Sequence, residues 1–196
     1  MNATEAQSRS GAGPSDAVLV LAARAGEDWA REALFRRHAP MVNGLAYRVM
    51  GRDEDVDDLV QDSFVQALRG LDRLAEPQAF AAWLGSIVVR TASKVLRRRK
   101  LLRRLGLRSN EPPIDTDSLL GRGTPPDAAV ELRAVYALVD ALPVEQRVAL
   151  VLRRVEGLGL EEIAAAMKLS LATVKRRLAD AEAALESKMK AKGVAR

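Results

Sequence analysis

Between Val56 and Leu68, the apolar residues Val56, Leu59, Val60, Phe64, Ala67 and Leu68 fall three and four apart. The same spacing returns in Phe80, Trp83, Leu84, Ile87, Val88, Thr91 and Val95, and again in Val174, Leu178, Ala181 and Leu185. A 3.6-residue period places each set on one face of an α-helix, and no stretch alternates as a half-buried strand would. The repeated period restricts the chain to an all-α fold. Ala, Leu, Val, Glu and Arg dominate and aromatics are only 4%, a residue supply that favours helix over sheet.

Caps and breakers divide the pattern. Ser15 is a good N-cap for a helix through "DAVLVLAARAG", which ends near Gly26. A longer helix runs from about Asp28 to Met50, with Gly51 as its stop. "DEDVDDLVQDSFVQALR" follows, its acidic first turn suited to the positive end of a helix dipole, and Gly70 ends it. After the loop "GLDRLAEPQ", a stripe beginning at Phe80 continues into "KVLRRRKLLRR". Residues 15–105 therefore form one small bundle behind a disordered leader over 1–14. "GLRSNEPPIDTDSLLGRGTPP", residues 106–126, has the Pro, Gly and Ser content of a flexible linker. A second bundle over 127–190 begins with "AAVELRAVYALVDAL", continues with "VEQRVALVLRRVEG", and closes with a helix-turn-helix. Residues 191–196 are a fraying tail.

Several function classes drop out. With no cysteine there is no disulfide, thiolate metal site or cysteine nucleophile, and a reducing compartment is the natural reading. Uninterrupted apolar runs are far shorter than the ~20 residues of a membrane span, and the leader lacks an apolar signal core. A cytoplasmic protein is expected. The only histidine is His38, and neither a phosphate-cradling glycine loop, a Ser-His-Asp order nor a metal-ligand spacing is present. No enzyme activity, metal or cofactor is expected.

Charge is distributed in two poles. The formal net charge is +5, which favours a polyanionic partner. Asp53, Glu54, Asp55, Asp57, Asp58 and Asp62 crowd one helix start. From Pro77 to Asn110 there is no acidic residue, yet Arg90, Lys94, Arg97, Arg98, Arg99, Lys100, Arg103, Arg104 and Arg108 all occur. One kind of partner does not account for both poles, although an acidic helix face is ordinarily just a solvated surface.

"LEEIAAAMKLSLATVKRRLADAEAAL", residues 160–185, holds two short helices around a tight corner. Leu160, Ile163 and Met167 line the first; Ser170 can cap the second, whose buried stripe is Val174, Leu178, Ala181 and Leu185. Lys175, Arg176 and Arg177 lie largely off that stripe, near the helix N-terminus that enters the major groove in helix-turn-helix proteins. With Thr173 they could hold phosphates and reach base edges. Spacing alone leaves open a helical hairpin with a solvated basic face.

Three stretches together resemble the sigma-70 family of bacterial transcription initiation factors, in its extracytoplasmic-function (ECF) group. "DEDVDDLVQDSFVQALR" resembles the acidic region-two helix, usually written "DAEDLVQETFLRAWR". "FAAWLGSIVVRTASKVLRRRK" is similar to the segment after it, which opens "FRAWL". "LVDALPVEQRVALVLRRVEGLGLEEIAAAMKLSLATVKRRLADAEAAL" resembles region four, including "ALP..QR", "VEG", "EEIA" and "TVK.RL". The resemblance implies two helical domains, no catalysis by the chain itself, and core RNA polymerase and promoter DNA as partners. It assigns docking on the coiled coil of the polymerase β′ clamp to Asp57, Asp58, Gln61 and Asp62. It assigns the −10 element and strand phosphates to Arg73 in the loop and to Arg90, Lys94, Arg97 and Arg98. The −35 element falls to Thr173, Lys175, Arg176 and Arg177. An anti-sigma factor is implied as a further partner.

The chain departs from the family pattern. "SIVVR" follows "WLG" where "RIARN" commonly follows "WLY", so Ser86 replaces a common Arg and Arg90 a common Asn. "ADAE" stands where "ARAR" is common, which puts Asp180 and Glu182 beside the recognition positions. Neither promoter preference can be borrowed from relatives. Two other readings remain at this level: a helix-turn-helix regulator that is not a polymerase subunit, and a helical protein-interaction adaptor.

Overall fold

The computed structural model describes residues 13–51, 55–106, 134–135, 137–139 and 141–191, and these are helical with no strand among them. The expected leader and linker lie almost wholly outside the described residues, as do Asp53 and Glu54. Helix α1 spans Asp16–Arg24; Ser15 Oγ accepts from the Val18 N–H at 3.4 Å. Helix α2, Asp28–Met50, ends at Gly51, whose φ of 69° is the left-handed value that glycine adopts without a β-carbon clash. Pro40 sits inside α2 and can donate no backbone hydrogen bond there. The apolar stripe carries the helix through it, burying Leu34, His38, Val42, Leu45, Ala46 and Val49.

Helix α3 spans Val56–Arg69 and stops at Gly70 for a reason the sequence does not reveal. Gly70 has φ −105°, outside the left-handed region. A β-carbon there would lie 3.0 Å from the Gln66 carbonyl oxygen and 3.5 Å from the Trp83 ring, so crowding is what favours glycine. The loop beyond contains two 3-10 turns, Leu71–Arg73 and Pro77–Ala79. Helix α4 then runs from Phe80 to Arg104. It is long and apolar enough to cross a membrane by length and composition, within Pro77–Leu102. Its apolar face is instead spent inside the protein: Phe80, Leu84, Ile87, Val88, Val89, Ala92 and Leu96 are all buried.

In the second half, α5 spans Val144–Arg154, α6 Leu160–Met167 and α7 Leu171–Ala191. Buried side chains of both halves form one continuous core: Val144, Val148, Val151, Leu152, Ile163, Val174 and Leu178 join the residues of α1 to α4. A smaller cluster, Leu142, Leu150 and Ala181, closes the far side of α5. The halves are therefore packed together, with α5 and α6 both lying on α4. Apolar periodicity shows that a face is buried; it does not show which neighbour covers it.

Polar contacts pin the helix ends. Arg99, almost wholly buried near the end of α4, pairs with Asp55 at the start of α3. Asp16 receives Arg37 Nη1 at 2.7 Å and lies 3.0 Å from His38 Nε2, which fastens α1 to α2. Burial raises the pKa of Asp16, but hydrogen bonds and attraction from Arg37 and His38 more than reverse this and hold it below the ordinary carboxylate value.

Two outcomes follow for stability. Phe80, fully buried against the His38 ring at a centroid distance of 5.1 Å, should cost about 3–5 kcal/mol when replaced by Ala, measured by urea unfolding. Because the folded pKa of Asp16 is lowered, its contribution is complete above the unfolded value and is lost as pH falls through the folded one. Asp16→Asn should flatten the acid limb of stability between about pH 5 and pH 2 while lowering stability at neutral pH. An unchanged acid limb would show that Asp16 is not a source of it.

Candidate nucleic-acid interface

The α6–α7 unit is a helix-turn-helix built by local hydrogen bonds. Glu162 reaches back so that its Oε2 accepts from the Gly159 N–H at 2.6 Å, which caps the start of α6. The corner turns at Lys168, whose φ of 55° is left-handed, and the Leu169 N–H returns to the Ala164 carbonyl at 3.0 Å. Ser170 caps α7 as its residue type suggests, accepting from the Thr173 N–H at 3.2 Å. The Thr173 hydroxyl is itself 2.8 Å from the Ser170 hydroxyl. Thr173 thus shares the cap and has less freedom to reach outward than its position implies.

The three cations of α7 differ. Lys175 and Arg176 are exposed, whereas Arg177 is half-buried with its Nε enclosed and lacking a hydrogen-bond partner. Burial raises the pKa of Glu145 at the start of α5, but a backbone hydrogen bond, Arg97 and, least of these, the nearby Arg177 more than reverse this and hold it below its ordinary value. The unusual acids also separate. Asp180 is exposed, while Glu182 accepts from Arg154 of α5 at 2.6 Å and braces α7. The aligned position of Glu182 beside the cations gives no hint of that partner.

On α4, Lys94 and Arg98 are exposed and share with Asp62, Gln66, Arg90 and Thr91 a cleft of about 360 Å³ between α3 and α4. Gln66 Nε2 donates to Thr91 Oγ1 at 3.2 Å across it. The other two cations are engaged. Arg90 Nη1 donates to Ser86 Oγ at 2.8 Å and to the Ala166 carbonyl of α6 at 3.2 Å, and burial lowers its pKa. Arg97 Nη1 donates to Glu145 Oε1 at 3.2 Å. The two departures at positions 86 and 90 are therefore partners of one another. Arg73 is exposed and, with Trp83 and Arg90, lines a cavity of about 910 Å³ where the two bundles meet. Trp83 packs partly into the core, 6.1 Å from the Phe80 ring by centroid, and partly faces that cavity.

Sequence reasoning missed Arg24. From the last turn of α1 its Nε and Nη2 donate to the Leu71 carbonyl at 3.1 and 2.8 Å, and Nη2 also donates to the Leu74 carbonyl. One guanidinium thus sets the loop 71–79 from behind, with Leu71 and Leu74 buried beneath it. A cation in a helix's last turn is too common to have signalled this.

The acidic pole is arranged differently. Asp57, Asp58, Gln61 and Asp62 are all exposed on one face of α3. Among the described residues no ion pair engages Asp57, Asp58 or Asp62, and no group of three or more possible metal ligands occurs. The carboxylates form an open negative face that an external cationic partner could meet.

Comparison with known proteins gives consistent matches. Residues 34–101 match Sigma-70 region 2 and residues 132–185 match Sigma-70, region 4. The ECF RNA polymerase sigma factor SigM of Mycobacterium tuberculosis is 34% identical over 171 residues, covering 87% of this chain and 83% of that protein. SigE of Mycolicibacterium smegmatis is 34% identical over 151 residues; the match covers 75% of this chain, which spans 56% of that relative's length. CnrH, solved in complex with the cytosolic domain of CnrY, superposes with a TM-score of 0.59 at 29% identity, covering 91% of this chain and 99% of that one. The sigma factor RpoE of Bartonella quintana, solved with the anti-sigma factor NepR, has a TM-score of 0.56 and 21% identity over 81% of this chain and 96% of that one, a likeness of fold.

Removing the Arg24 guanidinium should free the loop. Arg24→Ala is expected to lower stability by about 2–3 kcal/mol, the range for losing hydrogen bonds from a charged donor, and to raise amide hydrogen exchange across residues 71–79. Exchange that stays at the wild-type level there would remove Arg24 from this role.

Proposed function

We infer that this chain, which belongs to the ECF group of the sigma-70 family, binds core RNA polymerase and directs it to specific promoters. The observation that carries this is the pairing of region 2 and region 4 matches, in order, with an open carboxylate face on α3 and exposed cations at the start of α7. A regulator that binds DNA by its helix-turn-helix alone has no use for the first of these.

In this reading Asp57, Asp58, Gln61 and Asp62 dock on the coiled coil of the polymerase β′ clamp. A single exposed ion pair is worth only about 0–1 kcal/mol, so the grip depends on several carboxylates acting on one face. Arg73, Lys94 and Arg98, joined by Arg90 and Arg97, hold the backbone around the −10 element. Phosphate contacts of this kind position the strand without reading it. Arg24 orders the loop that carries Arg73, and so acts on promoter opening through that loop. At the −35 element, Lys175 and Arg176 reach the major groove; Thr173 supports them through the Ser170 cap, and the half-buried Arg177 contacts backbone. The chain acts by positioning polymerase on DNA and supplies no chemistry of its own.

Residues 15–105 and 127–190 serve as the two working domains, with 106–126 as the tether between them. An anti-sigma factor is the expected restraint. CnrH and RpoE were each solved with a partner, and a cleft between two halves joined this way suits a protein that holds both.

The primary test adds the purified chain to core RNA polymerase and measures promoter-specific run-off transcription; core enzyme should gain defined start sites. Asp58→Asn with Asp62→Asn should weaken assembly with core enzyme at least severalfold, read by co-elution, and unchanged assembly would end the docking assignment. Arg176→Ala should relax choice at one −35 position, a difference of about 1–3 kcal/mol between matched and mismatched promoters. Arg98→Ala should weaken every promoter alike and reduce the salt slope by about 0.9. Equal losses from both substitutions on all promoter variants would reject this division.

A further inference from the structure

We propose that Asp180 reads a base in the −35 element: its carboxylate accepts a hydrogen bond from the amino group of a cytosine, one or two base pairs from the position read by Arg176. The proposal rests on the assignment of α7 to the −35 element given above and adds a residue which that assignment leaves out. The direction of the side chain is fixed from behind. Val174, Leu178 and Ala181 are buried, Val174 and Ala181 completely, and they set the rotation of α7 about its axis. At 3.6 residues per turn, the face opposite this stripe carries Ala172, Arg176, Ala179, Asp180 and Ala183, all of them exposed. The three alanines end at a β-carbon, so the helix can approach the floor of a groove closely, and only Arg176 and Asp180 extend from that face. Lys175 and the half-buried Arg177 lie on its flanks.

A carboxylate facing DNA is repelled by the phosphates, and solvation alone would account for an ordinary exposed acid. Two observations single this one out. Glu182, two residues on, is taken up by Arg154 of α5, whereas among the described residues no ion pair engages Asp180, so its oxygens are open. Asp180 also stands one turn beyond Arg176, in the i, i+4 relation that brings two side chains within about 6 Å of each other. Base pairs stack about 3.4 Å apart, so the two side chains span one or two steps of the duplex. Phosphates line the rim of the groove, where the flanking Lys175 and Arg177 meet them; on its floor an anion finds donors as well as acceptors. Guanine N7 and O6 and thymine O4 only accept, and adenine sets its N6 amino group beside the accepting N7. The cytosine N4 amino group donates with no acceptor next to it on the same base edge. Among the four bases, cytosine is therefore the match for a carboxylate.

The test uses holoenzyme, formed from the full chain and core RNA polymerase, to select duplexes that keep the −10 half of a promoter it transcribes and are randomised across the −35 region. The bound pool is then sequenced. The wild-type chain should enrich cytosine at one position by about fivefold or more, the lower end of what a specific base contact contributes. Asp180→Ala should remove that preference and leave the others. Asp180→Asn should move it from cytosine to adenine, because an amide pairs with adenine N6 and N7. Arg176→Ala should alter a position one or two base pairs away. Preferences retained elsewhere in the same pool show that each variant is folded. Tighter binding of every sequence by one factor in Asp180→Ala would overturn the proposal, since that is relief of phosphate repulsion alone. So would a cytosine preference that survives either substitution at Asp180, or loss of all preferences together in both variants. A wild-type holoenzyme that selects nothing across the −35 region removes the functional reading of α7 itself, and this proposal with it.

Discussion

The apolar face of α4 is the contact on which the rest of the structure depends. Phe80, Leu84, Ile87, Val88, Val89, Ala92 and Leu96 place side chains among α1, α2 and α3, and the same helix receives α5 and α6. Burying a large apolar side chain contributes about 1.5–3 kcal/mol, so this row outweighs any polar contact in the molecule. It also solves a problem of placement. A helix with this much apolar surface must be covered along its length, and covering it leaves its basic residues at the margins, where Lys94 and Arg98 face solvent.

Arginine does two kinds of work around that core. Arg24 and Arg99 act inward, one holding a loop through main-chain carbonyls and the other joining α4 to α3 through Asp55. Both have planar donor sets that can satisfy several oxygens at once, which is what makes a partly buried cation tolerable. Arg98, Lys175 and Arg176 stay outward and available. Arg90 and Arg97 stand between these roles: they belong to the basic face by position, yet they contact Ala166 and Glu145. A basic run in sequence is therefore three populations in space, sorted by which oxygens come within about 3 Å.

The acidic residues divide in the same way. Asp57, Asp58 and Asp62 are left open on α3, while Asp55, Asp16, Glu145, Glu156 and Glu182 are each tied to an arginine. Glu182 has a partner that its place in the sequence does not reveal: its carboxylate accepts from Arg154 and braces α7. Asp180, two residues nearer the helix start, has no such neighbour among those described and is exposed.

By itself the sequence determined the helices, most of their caps and the two families of charge, because a 3.6-residue period, a serine before a helix and a glycine after one act within a few residues. Ser15 and Ser170 cap as their types require, and Gly51 ends α2 with the left-handed φ that favours glycine. Local signals also led to the right family, since the motifs are themselves local. Only the tertiary structure decided what depends on residues far apart in the chain. Arg24 reaches a loop 47 and 50 positions away, and Arg90 reaches a carbonyl 76 positions away. Trp83 of α4 packs over the end of α3 at Gly70, where a β-carbon would lie 3.5 Å from its ring. Packing of α5 and α6 on α4 arises because each bundle leaves part of its apolar stripe uncovered, and no periodicity states which surface will cover it.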